Sequence, residues 1–96
     1  MKTYCVYILA SRKNGTLYIG VTSDLKKRVW QHKEKYFKDS FTSKYGINRL
    51  VYFECGNDAY AALKREKRLK RYSRQEKIDL IEETNPDWHN LFDGMV

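Results

Sequence analysis

Residues 4–22 hold two short runs of apolar and aromatic side chains around a polar segment that contains Asn14-Gly15. Asparagine and glycine both tolerate the positive φ of a tight type I′ turn, so the pattern predicts a β-hairpin turning at these two residues. That turn sets Lys13 against Thr16, Ser11 against Tyr18, Leu9 against Gly20 and Tyr7 against Thr22. Side chains alternate along a strand, so Tyr7, Leu9, Ser11, Tyr18, Gly20 and Thr22 share one face. Val6, Ile8, Ala10, Leu17, Ile19 and Val21 share the other. The second face is wholly apolar and is expected to pack on a core. The first is mixed, with two phenols, two hydroxyls and a glycine gap, and is the candidate working face. In this register the Cα atoms of Tyr7 and Tyr18 are roughly 13 Å apart by strand rise. Shared parity alone therefore does not bring the phenols into contact, and a one-residue slip would separate them entirely.

Beyond the hairpin the period changes. Thr22-Ser23-Asp24 offers helix N-caps, and Leu25 and Val29 stand at i,i+4, predicting a helix over 24–35. Arg28 and His32 share one side of it, beside the apolar stripe. The segment 36–47 reads as a loop. Residues 48–55 are β-branched and aromatic and read as a third strand. Gly56-Asn57-Asp58 breaks that strand and caps a helix over 58–71. Ser73 and Glu76 fit a capping box for a helix over 74–84 that buries Ile78 and Ile81. Asn85-Pro86 ends it. Trp88, Leu91 and Phe92 are expected to fold the tail onto the core. The order β-β-α-β-α-α predicts an α+β fold, a three-stranded, mainly antiparallel sheet flanked by three helices. The chain reads as a single domain over 1–96, with its core at about 4–83 and a tail at 84–96.

In helix 58–71 the apolar positions are Ala59, Ala62, Leu63 and Leu69, and Glu66 falls within their stripe. Its neighbours Lys64, Arg65, Lys67, Arg68, Lys70 and Arg71 are all basic. An inward carboxylate needs a partner, because an unpaired buried charge is costly. That partner is a neighbouring cation or Arg28 in a structural reading, and a divalent metal ion in a functional one. Read singly, each candidate has a plain structural role. Tyr7 or Tyr18 is a half-buried strand tyrosine, Arg28 a solvated helix arginine, and His32 a surface residue or a polar contact. The six cations at 64–71 are a solvated face or a track for a phosphate backbone.

The 19 Lys and Arg against 12 Asp and Glu give a net charge of +7, which favours a polyanionic partner, nucleic acid above all. No apolar run approaches the ~20 residues of a membrane span. The start runs straight into a strand without a signal-type apolar segment, so the expected location is the cytoplasm. Cys5 and Cys55 lack metal-ligand spacing, and in a reducing compartment the expectation is two small apolar residues rather than a disulfide.

Taken in order, Val6-Tyr7-Ile8, Tyr18-Ile19-Gly20, Arg28 and Glu66 resemble the GIY-YIG nuclease superfamily. The resemblance spans about Tyr4 to Glu83. It looks closest to the small single-domain bacterial members, which are similar to the N-terminal nuclease module of a bacterial excision-repair endonuclease. It implies that Tyr7 and Tyr18 match the motif tyrosines, Gly20 the motif glycine, and Arg28 the catalytic arginine. Glu66 matches the metal-binding glutamate, and His32 a histidine that some members place near the tyrosine acting as base. Val6 stands where the motif has its first glycine. Ile78 stands where some members carry a late asparagine.

The resemblance implies metal-dependent hydrolysis of DNA phosphodiester bonds, in repair or recombination, with Mg²⁺ or Mn²⁺ on Glu66. Arg28 would hold the scissile phosphate, and a tyrosine whose ionised form is favoured by nearby cations would take a proton from water. Tyr7 is the favoured base if His32 contacts it, with Tyr18 orienting the water. Lys64, Arg65, Lys67, Arg68, Lys70 and Arg71 would contact the nucleic acid. The chain is expected to act as a monomer or weak dimer, targeted by itself or by a protein partner. The alternative reading is a non-catalytic nucleic-acid-binding or interaction module that keeps the fold.

Overall fold

A computed structural model describes residues 2–34 and 41–95. The end of the helix expected over 24–35 and the first part of the loop expected over 36–47 lie outside the described residues. The elements are β1 (Tyr4–Ala10), β2 (Leu17–Thr22), α1 (Leu25–Lys33), α2 (Phe41–Lys44), β3 (Arg49–Gly56), α3 (Ala59–Lys70), α4 (Arg74–Thr84) and a 3-10 turn at Leu91–Met95. The sheet has the order β2-β1-β3, and both pairings are antiparallel. The expected α+β order holds. Its one addition among the described residues before the tail is α2, a single turn inside the stretch read as a loop.

The hairpin keeps the expected faces but not the expected register. Tyr7 pairs with Gly20 and Leu9 with Tyr18, a shift of two residues. The cause is the turn. Ser11 N donates to Thr16 O at 3.0 Å and Gly15 N to Arg12 O at 2.9 Å, so Arg12–Gly15 form a four-residue loop. Only Asn14 within it is left-handed, at φ 59°. A type I′ turn needs positive φ at both central residues, and Gly15 does not supply it. A two-residue shift preserves parity, so every side chain stays on its expected side.

Each face of the sheet has its own core. Val6, Ile8, Ala10 and Ile19 pack with Val51, Ala62, Leu69, Ile81 and Trp88, beneath α3 and α4. Tyr7 and Leu9 pack with Val29, Ile47, Leu50 and Phe92, beneath α1 and the tail. Central β1 is therefore buried from both sides. The capping box of α4 forms as expected: Ser73 N donates to Glu76 Oε1 at 2.8 Å and Glu76 N to Ser73 Oγ at 3.1 Å. Ile81 is buried, whereas Ile78 is half-buried at the margin of the core. Leu63, expected in the core stripe of α3, is 48% exposed, and Ala59 is exposed too, so the stripe is narrower than the pattern suggested.

The tail folds back as expected and is held by polar contacts. β3 carries a bulge at Val51, between the pairs Ile8–Tyr52 and Leu9–Leu50. The Val51 carbonyl accepts from buried Asn85 Nδ2 at 3.0 Å, while Asn85 Oδ1 accepts from His89 N at 3.0 Å. Trp88 is fully buried, and its Nε1 donates to Glu82 Oε2 at 2.8 Å.

Cys5 and Cys55 are direct partners across β1 and β3 and form a disulfide, contrary to the expected pair of free thiols. The pairing of β1 with β3, which compartment chemistry does not determine, sets the two Cα atoms 4.0 Å apart. The bond closes a loop of 50 residues in sequence. Reducing it is expected to lower the unfolding free energy by about 2–4 kcal/mol, read from urea denaturation with and without reductant. Identical midpoints in the two series would contradict a disulfide-closed native state.

Candidate active site

The site begins with the glycine opposite Tyr7. A Cβ built on Gly20 would lie 2.5 Å from both Cζ and Oη of Tyr7. Glycine is thus required for space: the Tyr7 ring lies across the backbone of β2 where any side chain would stand. The register also makes Tyr7 and Tyr18 diagonal neighbours, and their ring centroids are 6.3 Å apart. The phenols that the expected register kept apart therefore meet. Tyr7 is 1% exposed and Tyr18 half-buried.

Helix α1 closes over this face. Thr22 Oγ1, at the end of β2, accepts from Asp24 N at 3.0 Å, and Asp24 Oδ1 accepts from Lys27 N at 3.2 Å as the N-cap. These bonds turn the chain from strand to helix and aim Val29 and His32 at the sheet. The His32 ring is 5.5 Å from that of Tyr18 and 6.1 Å from that of Tyr7. His32 Nε2 lies 3.3 Å from the Tyr7 hydroxyl, and Nδ1 lies 2.8 Å from Thr42 Oγ1 on α2. Arg28, one turn before His32, is half-buried and lines a surface groove with Thr22, Asp24, Lys27 and Gln31.

Glu66 is turned inward as the stripe on α3 implied, with its side chain 16% exposed. Its Oε2 pairs with Lys70 Nζ at 3.3 Å. An i,i+4 pair of this kind, with a half-exposed lysine, is worth about 0.3–0.5 kcal/mol, which leaves the carboxylate exchangeable. Among the described residues no three His, Cys, Asp or Glu side chains gather into a cage for a metal ion. A single inward carboxylate nonetheless fits Mg²⁺, which often takes one or two protein oxygens and completes its octahedron with water and phosphate.

Electrostatics tie these groups together. Burial, and next the charge of Tyr18, push the Tyr7 phenol well above the ordinary tyrosine range. Arg28 pulls the other way, by charge and hydrogen bonding, and Glu66 adds to the rise. The ionised tyrosine expected from nearby cations is therefore not the resting form of Tyr7, because desolvation outweighs Arg28. Burial, and then Arg28, lower His32 below its usual value, so its imidazole is neutral at pH 7.

The six cations of α3 separate into two groups. Arg65 Nε donates to Glu54 Oε2 at 2.9 Å and Lys70 pairs with Glu66, so both have partners within the chain. Lys64, Lys67, Arg68 and Arg71 are exposed along one groove that Arg65 also lines. Thr42 is the site residue that the sequence did not single out. One helical turn gives no periodic signal, and a lone threonine between an aromatic and a serine carries no motif.

A small α+β sheet with paired tyrosines and a histidine on one face, and with an arginine and a glutamate whose charges reach the Tyr7 phenol, defines a class. Residues 3–79 match the GIY-YIG catalytic domain, and the chain belongs to that family. It is also similar to UPF0213 proteins. One from Staphylococcus saprophyticus is 38% identical over 90 residues, covering 86% of this chain and 99% of that protein. One from Syntrophus aciditrophicus strain SB is 35% identical over 82 residues, covering 85% and 92%. The solution NMR structure of a UPF0213 protein from Bacillus halodurans superposes with a TM-score of 0.57 at 28% identity, over 92% of both chains.

The packing of Tyr7 on Gly20 yields a direct expectation. Gly20→Ala is expected to cost about 1–3 kcal/mol of stability and to displace the Tyr7 ring, visible as altered tyrosine signals in near-UV circular dichroism. An alanine variant with unchanged stability and spectrum would show that the ring does not occupy this space.

Proposed function

We propose that the protein is a divalent-metal-dependent endonuclease that hydrolyses DNA phosphodiester bonds. The observation that carries this reading is the convergence of Tyr7, Tyr18 and His32 on one sheet face, with Arg28 and Glu66 close enough to act on the Tyr7 phenol. Four exposed cations on α3 and the net charge of +7 supply the phosphate-binding surface. Arg28 binds the scissile phosphate and stabilises the charge that develops on it, its guanidinium fork suiting phosphate oxygens. Glu66 would hold Mg²⁺ or Mn²⁺, and a divalent cation held there would supply charge neutralisation for the phosphate.

Tyr7 takes a proton from the attacking water while passing its own to His32. The phenol never has to stand as a free phenolate, which its raised pKa would forbid. Tyr18 orients the water. The chain works as a single domain over 1–96, monomeric or weakly dimeric, in repair or recombination, with targeting left to this domain or to a protein partner. Among the described residues no helix is long and apolar enough to cross a membrane.

A second reading, a nucleic-acid-binding module without catalysis, draws on one observation. Ile78, where some members carry asparagine, packs at the core margin and offers no polar atom from its side chain. Incubation with single-stranded, duplex and branched DNA, with Mg²⁺ and with chelator, separates the two. Metal-dependent nicking supports the enzyme, and salt-sensitive binding without cleavage supports the module.

Glu66→Ala is expected to abolish Mg²⁺-dependent nicking while leaving the fold intact by circular dichroism, and undiminished cutting would sink the metal assignment. The pH profile gives a separate check. His32 must be neutral to accept a proton, and its value lies below the ordinary 6.5 because of burial and Arg28. The described groups facing it include Tyr7, Tyr18, Thr42 and Arg28. The cleavage rate is therefore expected to hold from neutral pH down through 6.5 and to fall only below it. An acid limb centred above 6.5 would contradict His32 as the acceptor.

A further inference from the structure

A histidine can serve the tyrosine beside it in two opposite ways. With a proton on Nε2 it can only donate to the phenol oxygen. With its proton on Nδ1, the Nε2 lone pair faces the phenol and can accept from it. A partner on the far side of the ring that accepts from Nδ1–H favours the second tautomer. In this protein that partner comes from α2, through Thr42.

His32 and Thr42 are both buried, at 7% and 3% exposure. The contact between His32 Nδ1 and Thr42 Oγ1, at 2.8 Å, is shorter than the contact between Nε2 and the Tyr7 hydroxyl, at 3.3 Å. Thr42 is well placed to hold one geometry. It is the second residue of a helical turn whose end is tied down by Ile47 N donating to Thr42 O at 2.9 Å. Ile47 is itself fully buried in the core beneath α1. The backbone that carries the hydroxyl is thus held in place.

We propose that Thr42 is a positioning residue: its hydroxyl oxygen accepts from His32 Nδ1–H and so keeps the Nε2 lone pair turned to the Tyr7 proton. Its role in turnover rests on the nuclease reading above, whereas the tautomer assignment does not. In the step it serves, one proton of the attacking water moves to the phenol oxygen as the phenol proton moves to His32 Nε2. The resulting hydroxide forms a bond to phosphorus. The bond from phosphorus to the leaving oxygen breaks, its electron pair stays on that oxygen, and bulk water protonates it. The imidazolium then returns its extra proton to bulk solvent, and one water has been added across the phosphodiester.

The test reads the tautomer and the turnover separately. Long-range proton–nitrogen NMR on ¹⁵N-histidine-labelled protein distinguishes the protonated from the unprotonated ring nitrogen. His89→Gln removes the other histidine, whose side chain is 77% exposed, and so assigns the His32 signals. The wild type is expected to show Nδ1 protonated and Nε2 unprotonated near pH 7. Thr42→Val, which keeps the shape and loses the hydroxyl, is expected to shift the signals toward the Nε2–H tautomer. Its kcat should drop about 10-fold or more with KM for DNA unchanged, and Thr42→Ser should restore both readouts. A wild-type ring protonated on Nε2 would overturn the proposal without any variant. So would Thr42→Val with wild-type signals and wild-type kcat. A wild type with the expected tautomer but no cleavage on any substrate would instead overturn the nuclease reading and leave the Thr42 assignment standing.

Discussion

The arrangement depends on a void. Gly20 has no side chain, and the Tyr7 ring occupies the space that a Cβ would fill. That overlap lets a bulky phenol lie flat within the sheet face, diagonal to Tyr18 and under α1. It also desolvates the phenol, which is why its proton is held so tightly. A tyrosine at an exposed strand position would have kept an ordinary pKa but would have had no fixed neighbours. Burial exchanges acidity for geometry, and the geometry then includes His32 as the group that can relieve the phenol of its proton.

From that constraint the supporting shell follows. Thr22 and Asp24 turn the chain so that α1 crosses the tyrosines. Val29 fills the core beneath them, Arg28 lines a groove while its charge reaches Tyr7 and His32, and His32 points inward. The tail contributes from the far side, with Phe92 closing the same core and Asn85 occupying the carbonyl that the bulge at Val51 presents. Glu66 comes from α3. Its pairing with Lys70 is weak enough to be replaced by a harder cation, and the four exposed bases on the same helix extend the positive surface.

Much of this was readable in the sequence because it is periodic. Alternation assigned the two hairpin faces correctly, the i,i+4 spacing put Arg28 and His32 on one side, and the stripe of α3 turned Glu66 inward. What escaped was set by geometry without period. Asn14-Gly15 signals a turn but not its length, and two extra loop residues moved Tyr7 from Thr22 to Gly20. The link between Cys5 and Cys55 depends on the register of β1 against β3, which no spacing encodes. The sign of the Tyr7 shift depended on weighing desolvation against Arg28, and only burial in three dimensions decides that. Thr42 lies in a single turn, too short to leave a pattern.

In the proposed reaction the Tyr7 hydroxyl, and not merely its ring, performs the chemistry. Tyr7→Phe keeps the packing on Gly20 and removes one oxygen. Single-turnover cleavage of DNA in Mg²⁺ by this variant, set beside the wild type, therefore tests the claim most directly. The account predicts a rate lower by about 10²-fold or more with DNA binding retained, the scale of a lost general base. Cleavage by Tyr7→Phe at the wild-type rate would contradict it.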